Sequence, residues 1–246
     1  MGVMHASNKP ARPDGPVGPL HGAEHASAVQ AMWVGALGRT VRGVPGRRTL
    51  MASSSGRVLY AKLHCRGRAA AAAEWRWLHL LPLLGIGAAK PVAWIGTGRR
   101  SLLVTEAVRG RSLDAWAADA VREGWLPQLV HYVTTALPGF VRRLHDHGLI
   151  HRDLNGAHLW VTDPRHGGAP VVLDVERVFR PRWRVRRWIV KDLASLFASM
   201  PAVLPRSTGP RFLRRYLGGA VTRQRGLVRA IARKVRRIRA HRPRYG

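Results

Sequence analysis

The sequence predicts an α+β fold of two lobes, in which a small N-terminal β-sheet lobe with one helix precedes a mainly helical C-terminal lobe. Three observations predict it. Short runs rich in β-branched and aromatic residues, separated by turn residues, fill much of 31–110. One alanine-rich segment interrupts them. Longer segments with apolar residues every three or four positions dominate the remainder. Strands gathered before helices are typical of an α+β plan.

The lobe boundaries follow from the same segments. Residues 1–30 are rich in Gly, Pro, Ala and His without periodicity, so we expect a mostly disordered arm there. The N-lobe is expected over 31–110, and the C-lobe over 111–246 with a basic helical tail. The hydrophobic fraction of the 246 residues is 46%, which is enough for a core.

The N-lobe elements are predicted from turn residues and helix propensity. The Ser53–Gly56 turn joins two strands into a hairpin, and the alanine run before Glu74 favours a helix. The predicted order is strands at 40–44, 49–52 and 57–64, a helix at 68–83, and strands at 91–95 and 101–107.

The C-lobe elements are predicted from capping and periodicity. Ser112 is suited to be a helix N-cap, with Asp114 near the positive end of the helix dipole. The segments HLWVT and PVVLDV, split by DPRHGG, predict a β-hairpin. The predicted helices cover 112–121, 127–147 and 186–199, with further helix in the tail after Pro205.

Basic residues greatly outnumber acidic ones. The chain has 42 Lys and Arg against 13 Asp and Glu, which gives a formal net charge of +29. Such a field favours phosphates, acidic lipid or nucleic acid as partners. An arginine-rich composition spread over a solvated surface explains the same number equally well. Cys65 is the only cysteine and no apolar segment opens the chain, so we expect a cytoplasmic protein without a secretory signal.

Four scarce charged residues carry the chemistry. His151-Arg152-Asp153 precedes a hairpin that ends at Asp174, which is the spacing of a kinase catalytic loop and its metal-binding aspartate. Phosphoryl transfer requires a carboxylate for the acceptor proton, a carboxylate for Mg²⁺ and a lysine for the ATP phosphates. Asp153 and Asp174 fit the two carboxylate roles. Lys62 fits the third, with Glu74 on the next helix as its partner.

A weaker motif lies between the first two strands. Gly43 and Gly46 occupy the place where a phosphate-covering glycine-rich loop would lie, but the full GxGxxG pattern is absent. An ordinary β-turn explains these glycines equally well.

The motifs together resemble the lipopolysaccharide kinase (Kdo/WaaP) family. The shared pattern is HRDxxxxH, a short hairpin ending in D-x-x-R, and a K-D-L helix, here His151–His158, Asp174–Arg177 and Lys191–Leu193. The resemblance covers roughly 38–200. It implies a protein-kinase-like fold and ATP-dependent phosphorylation of a heptose or Kdo hydroxyl in the lipopolysaccharide core. It also implies Asp153 as base, Lys62 as phosphate ligand and Asp174 as metal ligand.

Two positions depart from protein kinases. His158 replaces the Asn that supplies the second Mg²⁺ ligand, and imidazole suits Mg²⁺ less well than oxygen does. Metal binding, phosphate contact and simple packing all remain open for His158, which the family pattern shares. Asp-Val-Glu replaces Asp-Phe-Gly and keeps the aspartate at 174.

The acceptor is predicted from the segment between Asp174 and Asp192. These 17 intervening residues leave little room for a peptide-docking segment. Their arginines and tryptophans suit an anionic glycolipid, although Trp183 and Trp188 packing into the C-lobe is the favoured alternative. Asp192 itself is expected to hydrogen-bond the catalytic-loop backbone.

The tail after Asp192 contains no acidic residue. Val228, Ile231, Val235 and Ile238 recur at helical spacing among arginines. We expect this apolar stripe to pack on the C-lobe, with attraction to the inner face of the cytoplasmic membrane as the alternative.

We therefore expect an enzyme that uses ATP and Mg²⁺ and accepts an anionic glycolipid or a small sugar. Two rivals remain. One is a compact atypical Ser/Thr protein kinase. The other is a non-catalytic pseudokinase or basic nucleic-acid-binding module, against which the four charged residues argue. Nucleic acid is therefore not the expected partner, and the oligomeric state stays open.

Overall fold

The computed structural model describes residues 23–65, 69–97 and 100–241. The chain divides into two compact units, the first comprising 1–71 and 92–105 and the second 72–91 and 106–246. This division differs from the predicted lobe boundary, because most of the alanine-rich helix and the segment after it belong to the second unit.

The described elements follow the predicted order. The strands are β1 (Arg39–Val44), β2 (Arg47–Ser54), β3 (Arg57–His64), β4 (Gly87–Ala88), β5 (Pro91–Thr97), β6 (Arg100–Glu106), β7 (Arg111–Ser112), β8 (Leu159–Val161) and β9 (Pro170–Val172). The α-helices are α1 (Ala26–Val34), α2 (Ala69–Leu83), α3 (Leu113–Arg122), α4 (Leu126–Asp146), α5 (Val185–Ser199), α6 (Thr208–Tyr216) and α7 (Arg225–Ala240). The two-residue strands β4 and β7 and the helix α1 were not predicted.

The first unit is a sheet with strand order β1-β2-β3-β6-β5. The first three strands are antiparallel, and the β2–β3 pair keeps regular register through the predicted Ser53–Gly56 turn. Alternation along β3 buries Leu59, Ala61 and Leu63 on one face, where they join the core of this unit.

The helix α1 corrects part of the predicted arm. Residues 1–22 lie outside the described residues, but 23–30 form a 3₁₀ turn and the start of α1. Val29, Met32 and Trp33 are buried in the same core as the sheet residues. Their spacing of three and four places them on one helical face. A single short apolar face among Ala and Gly residues was too weak a pattern to predict a helix.

The second unit contains a four-stranded sheet in the order β4-β9-β8-β7. The predicted hairpin is the antiparallel pair β8–β9, and β4 runs parallel to β9. Capping also follows prediction, because the Ser112 hydroxyl accepts a hydrogen bond from the Ala115 backbone N–H at 3.2 Å. The predicted apolar face of α4 is buried, from Val130 through Leu137 to Leu144.

The basic tail folds into α6 and α7. Leu227 and Ile231 are buried as α7 packs on α5, and Arg239 donates a hydrogen bond to the Phe197 carbonyl at 2.9 Å. The expected packing of the stripe is confirmed at Ile231, which is buried, while Val228, Val235 and Ile238 are half-buried. No helix within the described residues is both long enough and apolar enough to span a bilayer.

The two tryptophans of the α5 region differ. Trp188 packs edge-on against Phe179, with ring centroids 5.0 Å apart. Trp183 is 72% exposed, so the expectation that it packs into the helical lobe is wrong. Trp183 precedes the start of α5, where the helix packing does not reach it.

Candidate active site

The loop that follows α4 is held by one buried carboxylate. Asp192 of α5 accepts hydrogen bonds from the backbone N–H groups of His151 and Arg152, at 2.7 and 2.8 Å. Arg152 adopts a left-handed backbone conformation with φ of 72°, which an arginine rarely takes. The fully buried Asp192 stabilises that conformation, which confirms the structural role expected for this residue.

His151 joins the catalytic loop to the segment before Asp174. Its ring is fully buried, and its Nε2 lies 3.0 Å from the Leu173 carbonyl oxygen. Because a carbonyl only accepts, Nε2 carries the proton and donates it. Burial lowers the pKa of His151, so the imidazole is neutral and the contact is an uncharged hydrogen bond.

Asp153 projects from this loop with its side chain one-third exposed. Its Oδ2 accepts a hydrogen bond from Arg177 Nη1 at 2.6 Å, a charge-assisted contact. Asn155 donates from Nδ2 to the Asp153 carbonyl at 3.1 Å and so fixes the backbone beside it. The candidate base is thus accessible and oriented. The sequence placed Arg177 in the D-x-x-R motif but gave it no role.

His158 lies between the two aspartates. Its Nδ1 is 2.9 Å from the Asp153 carbonyl oxygen and therefore carries the ring proton. Its Nε2 lies 3.8 Å from Asp174 Oδ2. This geometry suits a ligand to a metal shared with Asp174 or a contact to phosphate, and the role of His158 stays a prediction.

Asp174 follows β9 and opens a 3₁₀ turn, Val175–Arg177, with a φ of 56°. The turn brings Glu176 back beside Asp174, while Glu74 approaches from α2 with 3% of its surface exposed. One carboxylate oxygen from each of these three residues lies within 4.8 Å of the others. Glu176 was missed by the sequence analysis, although its spacing of two from Asp174 in D-V-E was visible.

This carboxylate group fits the metal that a kinase requires. Mg²⁺ prefers oxygen ligands, and two or three protein carboxylates with substrate phosphates are its usual set. Among the described residues these three form a group of carboxylates with that spacing. The role predicted for Asp174 is compatible with the geometry.

A close approach restricts the loop at Gly156. A side-chain Cβ at Gly156 would lie 2.5 Å from Asp114 Oδ1, so any larger residue would displace the carboxylate. Partial burial raises the pKa of Asp114. In the sequence Asp114 is marked only by its place near a helix start, and no pattern there associates it with the catalytic loop.

The remaining predicted residues belong to the first unit. Lys62 lies on β3 opposite Thr49 of β2, half-buried between the core residues Ala61 and Leu63. Gly43 lies in β1, and Gly46 lies in the turn before β2 with φ of 79°. The pairing predicted for Lys62 with Glu74 joins residues of different units and stays a prediction.

Comparisons with known proteins identify the family of the chain. The sequence model of the lipopolysaccharide kinase (Kdo/WaaP) family matches residues 58–216. A relative named lipopolysaccharide core heptose(I) kinase WaaP, from Pseudomonas aeruginosa, is 27% identical over 261 aligned positions, covering 92% of this chain and 94% of the relative.

Two solved structures resemble the fold of this chain. A structure titled WaaP in complex with acyl carrier protein matches with a TM-score of 0.74 and 26% identity, covering 91% of this chain and 99% of the other. An aminoglycoside-3'-phosphotransferase of type VIII matches with a TM-score of 0.59 and 20% identity, covering 87% and 100%. The second likeness concerns the fold alone. The predicted α+β, protein-kinase-like fold is confirmed.

Proposed function

The chain belongs to the lipopolysaccharide kinase (Kdo/WaaP) family, it is a kinase of lipopolysaccharide core sugars, and we propose that its acceptor is a heptose hydroxyl whose proton passes to Asp153. The observation that carries this proposal is the placement of Asp153. Its carboxylate is accessible, oriented by Arg177, and rigidly connected through His151 to the segment that ends at Asp174.

Residues of both units would bind ATP and its metal ion. Lys62 contacts the phosphates, and the turn at Gly43 and Gly46 covers them. Asp174 and Glu176, with Glu74 on α2, would hold Mg²⁺ through their oxygens. Bound Mg²⁺ would neutralise charge on the phosphates during transfer. Glu74 has a second candidate role as the partner of Lys62, and one carboxylate can serve both.

The chemical step requires one base. The acceptor oxygen attacks the γ-phosphorus, the bond to the ADP oxygen breaks, and the acceptor proton moves to Asp153. The Arg177 contact holds the Asp153 carboxylate in one direction before the acceptor arrives. Asp192 and His151 contribute by holding the loop that carries Asp153.

The positive charge of the chain favours a membrane surface as the place where it meets its acceptor. The net charge of +29 favours the anionic inner face of the cytoplasmic membrane, where a glycolipid acceptor would be presented.

One similar structure contains WaaP with acyl carrier protein. We include acyl carrier protein among the partners proposed for this chain, to be tested by copurification at low and high salt.

A transfer assay tests the function. Purified protein is incubated with labelled ATP, Mg²⁺ and a panel of acceptors: dephosphorylated lipopolysaccharide core, intact core, and a mixture of proteins. We expect the label on heptose in the dephosphorylated core, and at least about a hundredfold slower labelling with Asp153→Asn. Label mainly in protein would favour the atypical protein kinase. No Mg²⁺-dependent ATP consumption, together with salt-sensitive nucleic-acid binding, would favour the non-catalytic module.

A further inference from the structure

A second site lies beside the catalytic loop, in the groove between α5 and α7. It is a concave pocket of about 660 Å³, within the size range of small-ligand sites. Six of the residues that line it are cationic: Arg152, Arg186, Arg187, Lys191, Lys234 and Arg237. None of the described residues that line it is acidic.

Such a concentration of like charge is unfavourable without an anion. Arg187 and Lys191 are four residues apart on α5, and Lys234 and Arg237 are three apart on α7, spacings at which like charges repel. The packing of α7 on α5 brings these two basic faces around one cavity. A bound multivalent anion would remove this repulsion, which a dispersed solvated surface would not need.

Two cationic side chains of the pocket lie over aromatic rings, and one of them contains a nitrogen without a hydrogen-bond partner among the described residues. The Arg152 guanidinium lies over the rings of Phe179 and Trp188, at 5.8 and 5.9 Å from their centroids. Its Nε is buried and has no hydrogen-bond partner among the described residues. Lys191 Nζ is 5.7 Å from the Trp188 ring centroid, and burial together with Arg152 lowers the pKa of Lys191. A phosphate group in the pocket would offset the positive charge of both side chains.

The pocket is tied to the catalytic carboxylate by chain connectivity. Arg152 immediately precedes Asp153, and Lys191 immediately precedes Asp192, whose carboxylate binds the loop backbone. The charge of Asp153 acts on Lys191, which places the two groups within electrostatic range. An acceptor long enough to reach both places would have its hydroxyl at Asp153 and an anionic substituent at Arg152 and Lys191.

We propose that the pocket between α5 and α7 is a phosphate-binding subsite that takes a phosphomonoester or diphosphate group. A phosphate fits better than a carboxylate, because several cations face one cavity and phosphate offers more acceptor oxygens and more charge. The acceptor glycolipid is the source we favour, and that assignment rests on the proposed function. Free phosphate compounds share the chemistry.

A binding experiment tests the subsite without using kinase activity. Inorganic pyrophosphate is titrated calorimetrically into the full-length protein in metal-free buffer, so that no Mg²⁺ is present to hold a diphosphate at the nucleotide site. The test variant is Lys234→Ala with Arg237→Ala. The matched control is Arg229→Ala with Arg236→Ala, which removes the same charge from exposed positions of α7 outside the pocket. Thermal melting checks that both variants fold.

The expected result is at least a tenfold loss of pyrophosphate affinity in the test variant and less than a twofold loss in the control. Equal losses in both would overturn the proposal, since they would reflect only the general positive field. Undetectable binding to the wild-type protein would overturn it as well.

A kinetic experiment identifies the source of the phosphate. Acceptor KM is measured for core fragments with and without a phosphate beside the sugar that is modified. If the acceptor supplies the phosphate, the test variant raises KM at least tenfold for the phosphorylated fragment only and leaves ATP KM unchanged. If KM stays unchanged while pyrophosphate affinity falls, free phosphate compounds are the ligands. If no fragment is phosphorylated, the proposed function fails while the binding result stands.

Discussion

The catalytic loop and the α5–α7 pocket belong to the same unit, yet they use charge in opposite ways. Around the loop, acidic side chains have few and specific partners: Asp192 binds two backbone N–H groups, and Asp153 binds Arg177. In the pocket, six cationic side chains surround one cavity without a lining acid among the described residues. The first region is preorganised by its own contacts, whereas the second requires a ligand to balance its charge.

This difference determines what a single substitution does. Removing a carboxylate with fixed partners leaves buried groups unsatisfied or removes a chemical step, so the effect is large. Removing one of several exposed arginines leaves neighbours that compensate, because exposed charges are well solvated and screened. The comparison therefore predicts a gradient of effects from the loop outward.

The largest effect is expected for Asp153→Asn. Asparagine keeps the shape but cannot receive the acceptor proton, so turnover should fall about 10²–10⁴-fold, the scale of general base catalysis. Steady-state transfer of labelled phosphate measures it, with unchanged ATP affinity as the sign of an intact fold. Asp146→Asn, an exposed acid on α4, is the control. Normal turnover of the Asp153 variant would remove the base from the mechanism.

A large loss of stability is expected for Asp192→Ala. It leaves the backbone N–H groups of His151 and Arg152 without their acceptor, at a cost of about 1–3 kcal/mol for each buried group. Denaturant unfolding should show a free energy of unfolding lower by about 2–6 kcal/mol. Asp192→Asn keeps one acceptor oxygen and should lose less. Equal losses for both variants would contradict the role of the two hydrogen bonds.

A moderate effect is expected for Arg177→Met, which keeps the aliphatic bulk and removes the contact to Asp153. The pair is exposed by about a third or more on each side, so solvent weakens it and its share of stability is small. Turnover should fall about tenfold through lost orientation of Asp153, and Arg177→Lys should recover part of it. A change confined to acceptor KM would instead assign Arg177 to acceptor binding.

The sequence predicted the parts of the site that depend on rare residues in a fixed order. The chain contains only five lysines and 13 acidic residues, so charged residues in the order expected of a kinase were easy to recognise. They are Lys62, Glu74, Asp153 and Asp174. Glu176 and Arg177 were visible in the same motif but gained meaning only when the 3₁₀ turn Val175–Arg177 folded them toward Asp174 and Asp153.

The abundant residues were less informative. The sequence contains so many arginines that no pattern marked Arg152, Arg186 or Arg187 as members of a pocket, which depends on how α7 packs on α5. Secondary structure with strong periodicity, such as α4 and the β2–β3 hairpin, was predicted well. The short helix α1 was missed because its apolar residues are buried by packing against the sheet, and this packing cannot be read from the helix sequence alone.

A smaller effect on the free energy of unfolding is expected when the pH is lowered. The pKa of folded His151 is depressed by burial, so below about pH 6.5 the unfolded chain takes up a proton that the folded chain does not. Stability is therefore complete above pH 6.5 and is lost as pH falls toward the folded pKa, by at most about 1.4 kcal/mol per pH unit. Unfolding at pH 7.5 and 5.5 should show a shallower dependence for His151→Asn. Exposed His147→Asn should match the wild type.

The smallest effect on folding is expected for Trp183→Ala, because its side chain is 72% exposed and α5 does not cover it. The free energy of unfolding should change by less than about 0.5 kcal/mol. A tryptophan among arginines is suited to a membrane interface, so binding to anionic vesicles should weaken while stability stays constant. Trp188→Ala is the contrasting variant, since it removes the contact to Phe179 and should destabilise the fold. If Trp183→Ala leaves vesicle binding unchanged at both low and high salt, Trp183 does not enter the membrane interface, and the arginines alone account for any attraction to lipid.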